Sequence, residues 1–337
     1  MRFLTGREQH VSRVRGHALC RPELVPPLDI VVTRHDVPDE TAFRGSGVLD
    51  LYEELFPPNE RDSGDDIVRW VLSDDVGKRR CFTVNGEAVS YRLDSRCFIL
   101  RAAERAIGLG FFTYDHASRL LYCNNVGVQT KWRGGSLARA FYLEMVGMLD
   151  ELFPHNIGVV LEVEYFDRDR LEAIIGDLER GGERRMTAND QVEIRKFLRV
   201  SWYRKLDHAF FVDVRTKQPM LCRSPCLDPA LPPSVWAGAE EDYWLMWHPR
   251  AGAATGVSGA GVLWRTAVET LYVEILAKSL VAADPDGRRA YWDYATTRVA
   301  GMLRQAATVP VTFASYPEPA GNSLLSRWRQ LAIDLPI

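Results

Sequence analysis

Residues 120–149 constrain the chain more than any other stretch, because the hydrophobic period changes in the middle of the run. Leu120, Leu121, Tyr122, Val126 and Val128 are strand formers, whereas Leu137, Phe141, Met145 and Leu149 recur at helical spacing. Between them Arg133, Gly134, Gly135 and Ser136 read as a turn. The opening N–H groups of a helix have no partners within it, and its dipole is positive at that end. A strand that feeds a helix through a glycine turn therefore offers a seat for a phosphate or pyrophosphate. Gly134 and Gly135 allow close backbone approach, and Arg133 adds a charged fork. Neither the P-loop pattern Gly-x-x-x-x-Gly-Lys-Ser/Thr nor the dinucleotide pattern Gly-x-Gly-x-x-Gly can be placed on the segment.

What the segment resembles is motif A of the GNAT superfamily of N-acyltransferases, a strand and loop that hold the pyrophosphate of coenzyme A. Val128, Trp132, Arg133 and Gly134 fall at the corresponding places, and Ser136 stands where the family usually has its second glycine. The resemblance implies that Val126, Val128, Arg133, Gly134, Gly135, Ser136 and Ala138 bind acetyl-CoA or another acyl-CoA as co-substrate. Further matches follow in order. Ile157 to Phe166 is a β-rich run with Glu162 and Glu164 two residues apart, hence on one face. Val200 to His208 is similar to the family's late helix, with Tyr203 on the tyrosine that in many members protonates the departing thiolate. Asp207 replaces a glycine there, and Lys196 stands where many members have Asn. Phe210 to Leu221, with Gln218-Pro219, is similar to a strand of some larger bacterial members.

The fold so implied is α+β in three layers (α/β/α): a mixed, largely antiparallel central sheet of GNAT type flanked by helices, with a C-terminal helical appendage. Residues 1–27 are expected to form an N-terminal extension, 28–226 the acyltransferase core with an insertion at 167–191, and 227–337 a strand and helices packed on that core. The sequence places a first strand at 28–35, helices at 48–56 and 65–72, and an antiparallel pair at 97–102 and 107–114. A hairpin is expected around Asn85-Gly86. The chemistry implied is direct transfer of an acyl group to a primary amine of a small molecule. The amine must lose a proton to attack, and Glu162 or Glu164 is the candidate base. Tyr203 is the candidate acid. Two alternatives stay open: a long-chain or carrier-protein-bound acyl donor, and a non-catalytic acyl-CoA-binding module.

Composition decides less. The chain has 337 residues, enough for a sizeable core, with 46% hydrophobic and 26% charged residues. A net charge of −3 supplies no global field for nucleic acid or anionic membrane, so neither partner is expected. No apolar run is long enough to span a bilayer and no signal-peptide core is evident, which makes a cytoplasmic location the expectation. The six cysteines do not form a disulfide pattern. Cys222 and Cys226 lack the second pair a zinc site would need and read as free thiols, so no metal is expected. His116 reads as a turn residue, His208 as a helix-end packing residue, and the stripe holding Trp264, Tyr272, Tyr291, Trp292 and Tyr294 as core.

Overall fold

Strand-forming runs at 93–102, 105–115 and 120–128, buried along most of their length, make the first half of the chain a meander. The computed structural model describes residues 12–13, 28–32, 39–56, 62–72, 79–84, 87–103, 105–133, 136–180, 186–226, 232–250, 259–275, 285–314 and 323–331. Contacts divide the chain into two compact units, Met1–Cys81 with Ser90–Asn156, and Phe82–Val89 with Ile157–Ile337.

In the first unit the elements run β1 (Ser12–Arg13), β2 (Leu28–Val32), α1 (Glu40–Gly45), α2 (Val48–Leu55) and α3 (Gly64–Leu72). After the hairpin β3 (Arg80–Val84) and β4 (Glu87–Tyr91), whose residues 82–89 belong to the second unit, come β5 (Leu93–Ala102), β6 (Arg105–Asp115), β7 (Leu120–Val128) and α4 (Leu137–Leu152). The strands pair antiparallel in the order β1–β2–β5–β6–β7. The expected strands and helices are all found. The turn residues Asn85 and Gly86, and residues 33–35 of the expected first strand, lie outside the described residues. Helices α1 to α3 bury Phe43, Leu51, Tyr52, Ile67 and Val71 against Ile99, Leu109 and Phe111 of β5 and β6. Each fully buried side chain of this size contributes about 2 kcal/mol by leaving water.

The period change at 120–137 is a change of backbone. Strand β7 leads into a 3₁₀ turn at Thr130–Trp132, and α4 follows. Helix α4 buries Phe141, Tyr142, Met145, Met148 and Leu149, so three of the four residues of the stripe read from the sequence are buried and Leu137 is half-buried. Gly110 of β6 makes room for it, since a Cβ there would lie 2.1 Å from the Met145 sulfur. Between Phe111 and Phe112 the β6–β7 register shifts, leaving Asn124 as a bulge. The Oγ1 of Thr113 donates to Asn124 Oδ1 at 3.0 Å and so satisfies the bulged side chain.

The second unit holds β8 (Gly158–Glu164), α5 (Arg168–Glu179), α6 (Ala188–Arg204), β9 (Ala209–Asp213), β10 (Leu221–Ser224), α7 (Pro233–Trp236), β11 (Glu241–Pro249) and α8 (Ala260–Glu269). A π-helical turn at Thr270–Ile275, a helix at Pro285–Thr308, β12 (Val311–Ala314) and a helix at Leu324–Gln330 complete it. Its strands run β8–β11–β9–β12, with β10 beside β11, all antiparallel. Strand β11 comes from the segment expected to be an appendage, yet it lies between β8 and β9 as an interior strand. At its far end Gly158 has φ +147, and a Cβ there would lie 2.3 Å from the His248 carbonyl oxygen, so only glycine lets β8 start this close to β11. Within the segment 167–191, Arg168–Glu179 and the residues from Ala188 onward are helical. Asp167 caps α5, and a Thr187–Asp190 capping box opens α6; Gly181 and Gly182 lie outside the described residues.

Candidate active site

In the first unit the motif residues gather at the end of β7. Val126 and Val128 pair with Gly110 and Gly108 of β6. The Arg133 guanidinium Nε donates to the Val128 carbonyl at 2.7 Å, tying the turn back to the strand it leaves. Gly134 and Gly135 lie outside the described residues. Ser136 occupies the N-cap of α4, and its side chain makes no capping hydrogen bond. That sets α4 apart from α1, α5 and α6, whose Asp39, Asp167 and Thr187 side chains each accept from an opening N–H. The first turn of α4, which contains Ala138, carries no acidic residue. Its N–H donors and dipole are thus left for an anion, with Arg133 beside them.

The same unit contains a cavity of about 510 Å³ lined in part by Ser46, Asp50, Glu54, Arg105 and Gln129. Gln129 follows β7 directly, is 5% exposed, and donates Nε2 to Glu54 Oε2 at 2.9 Å. Its Oε1 is buried without a partner, so this lining is rich in hydrogen-bond acceptors.

In the second unit the two glutamates share a face but not a role. Glu164 is buried, and Arg199 of α6 donates to its Oε1. Among the described residues no cation bonds Glu162. Tyr272 of the π-helical turn donates to its Oε1, and burial of the carboxyl raises its pKa to about 7, against a smaller lowering by that hydrogen bond. At neutral pH Glu162 is therefore poised to take up and give back a proton. Around it stand Cys222 of β10 and Tyr243 of β11, cross-strand neighbours of each other. Burial, and next the Glu162 charge, hold both the Cys222 thiol and the Tyr243 phenol above their ordinary pKa values. Both are neutral donors at pH 7.

Tyr203 lies elsewhere in this unit. Side chains alternate along β11, so Leu245, opposite Glu162, and His248 point to different faces. On the His248 face, the His208 ring stacks at 5.0 Å and Tyr203 meets His208 edge-on at 5.6 Å. His208 is 2% exposed, and burial followed by repulsion from His248 lowers its pKa to about 3. It is the neutral packing residue that its place at the helix end suggests. The structure thus brings Glu162 together with Tyr272, Tyr243 and Cys222, and Tyr203 together with His208 and His248.

No family model matches this sequence, and no curated protein matches it. Solved structures do. A Bacteroides thetaiotaomicron protein assigned to the GNAT family of acetyltransferases aligns over 69% of this chain and 94% of its own, at 15% identity and a TM-score of 0.36. Arabidopsis thaliana NAA60 in complex with acetyl-CoA aligns over 66% of this chain and 99% of its own, at 14% identity and a TM-score of 0.33. A tandem GNAT protein from the clavulanic acid biosynthesis pathway covers 90% of this chain and 84% of its own, at 10% identity and a TM-score of 0.34.

The sequence did not reveal Tyr272. It stands in an aromatic stripe that reads as core, and only its hydroxyl, the one polar handle on a buried ring, hinted at a partner. Among the described residues no group of three or more His, Cys, Asp or Glu is arranged to hold a metal ion. Cys222 and Cys226 are buried and form no disulfide among the described residues. His116, read as a solvated turn residue, is partly buried and bonds Asp94 Oδ2 through Nε2 at 3.1 Å. No described helix is long and apolar enough to cross a membrane.

Proposed function

We propose that this chain is an acyl-CoA-dependent N-acyltransferase of GNAT type that moves an acyl group, probed most simply as acetyl, to a primary amine of a small molecule. The observation that carries the reading is the opening of α4. It is the helix that follows the motif strand, its N-cap side chain is uncommitted, its first turn is free of acid, and Arg133 is anchored at its mouth. Those features suit a pyrophosphate. Val126, Val128, Arg133, Gly134, Gly135, Ser136 and Ala138 are the residues assigned to hold the donor.

Acyl-CoA supplies an activated thioester carbonyl. The chain's part is to move protons. As the amine nitrogen bonds to the carbonyl carbon and the carbon–sulfur bond breaks, the nitrogen must lose a proton and the sulfur must gain one. Glu162, with a pKa near neutrality, is the proposed base. Glu164 is less suited, because its carboxylate is committed to Arg199. Tyr203 is the proposed source of the sulfur's proton. The location proposed for such an enzyme is the cytoplasm.

The test uses coenzyme A and then acetyl-CoA. Saturating coenzyme A should raise the melting temperature, as a ligand of the native state does, and Gly135→Glu should abolish the rise. Thiol release from acetyl-CoA should then depend on one member of a pool of primary amines. If coenzyme A leaves the melting curve unmoved and calorimetry detects no binding, the reading fails.

A further inference from the structure

A half-buried base on a strand needs something to aim it, and the group that touches Glu162 comes from 110 residues later in the chain. Helix α8 buries Leu263, Trp264, Ala267 and Val268, and at Thr270 its backbone widens into the π-helical turn that carries Tyr272. Single π turns inside helices are uncommon and recur at functional sites. Tyr272 is 2% exposed, so its hydroxyl has left water and requires a partner. That partner is Glu162 Oε1, whereas Oε2 makes no hydrogen bond among the described residues.

We infer that Tyr272 is the positioning residue for Glu162: its phenolic proton fixes one carboxylate oxygen and leaves the other turned to the amine. This rests on the reading of Glu162 as the base. A phenol suits the task because it donates one hydrogen bond while burial keeps it neutral well above its ordinary pKa range, so it cannot itself take the amine's proton. Among the described residues, the other titratable groups beside the carboxyl are Cys222 from β10 and Tyr243 from β11, both held neutral. The remaining charges nearby are already engaged, Glu164 by Arg199 and Glu241 by the Tyr243 hydroxyl at 2.8 Å. Of these groups Tyr272 alone bonds Glu162, and it does so from the part of the chain where the resemblance to known acyltransferases thins.

The experiment follows the Glu162 carboxyl directly. The infrared band of its protonated form, assigned by its loss in Glu162→Gln, is titrated in the wild type and in Tyr272→Phe. Removing a hydrogen bond that favours the ionised form should move the titration up by about one pH unit. Acetyl transfer at pH 7 should fall by about tenfold and recover at higher pH, with coenzyme A binding unchanged. Fluorotyrosine placed at position 272 alone, a stronger donor of nearly the same shape, should move the titration down, and it serves also if the Phe variant does not fold. A Glu162 titration unmoved by either change overturns the inference. Should no amine be acylated at all, the proposed function fails, while the infrared titration still decides whether Tyr272 sets the state of Glu162.

Discussion

The two faces of the β8–β11–β9 sheet each carry a titratable side chain, Glu162 half-buried and His208 buried, and desolvation drives both toward neutrality from opposite directions. Glu162 rises to about 7, while His208 falls to about 3. The desolvation is of one kind; the neighbours differ. Glu162 meets a phenol that donates to it and checks the rise, whereas His208 meets a second imidazole, His248, that discourages its charge. The first group therefore exchanges a proton at neutral pH and the second does not. A histidine beside a tyrosine looks at first the more natural catalytic pair, yet the carboxyl on the opposite face has the working acid–base equilibrium.

The pH dependence of stability should separate the faces, and the largest effect belongs to His208. Its pKa is 6.5 unfolded and about 3 folded, so between those values the unfolded chain binds the extra proton. The stability it contributes above pH 6.5 is lost as pH falls through that window, by about 1.4 kcal/mol per unit and about 5 kcal/mol in all. His208→Gln should remove this acid slope in urea unfolding at stepped pH. An undiminished slope would mean that the imidazole is charged in the fold.

Glu162 should act with the opposite sign. Its pKa is 4.5 unfolded and about 7 folded, so its contribution is complete below pH 4.5 and is lost as pH rises to 7, by about 3 kcal/mol. Between pH 4.5 and 6.5 the two slopes offset each other, and the wild type should be nearly flat. Glu162→Gln should then show stability that climbs with pH across that interval, while His208→Gln should show stability that declines. If both variants tilt the same way, the contrast between the faces is wrong.

The smallest effect asks whether the His248 face takes part in chemistry. Tyr203→Phe keeps the ring against His208 and deletes only the hydroxyl. Acetyl transfer should fall by about tenfold while coenzyme A still binds near wild-type strength. An unchanged rate with about 1 kcal/mol of lost stability would confine Tyr203 to packing.

Much of the first unit was legible because its signals are local. The strand period of Leu120 to Val128 and the helical stripe of Phe141, Met145 and Leu149 are each set by neighbours in sequence, and the structure has them in place, while Gly134 and Gly135 of the turn between them lie outside the described residues. Pairing of Glu162 and Glu164 on one face was also legible, since alternation along a strand is geometric. Which of the two is free for chemistry was not. That depends on Arg199 and Tyr272, brought by α6 and the π turn from 35 and 110 residues away. Nor did spacing reveal that β11 would enter between β8 and β9, because strand order is a tertiary outcome that no local period encodes.

The most direct measurement is the pH profile of kcat/KM for acetyl transfer to the best amine of the pool, in the wild type and in Glu162→Gln. The wild type should gain activity through an apparent pKa near 7. The variant should lose that step and run on the order of a hundredfold slower near neutrality, the deficit shrinking at high pH where free amine is abundant. A Glu162→Gln protein that folds, binds coenzyme A and turns over at the wild-type rate with the same profile would contradict Glu162 as the base.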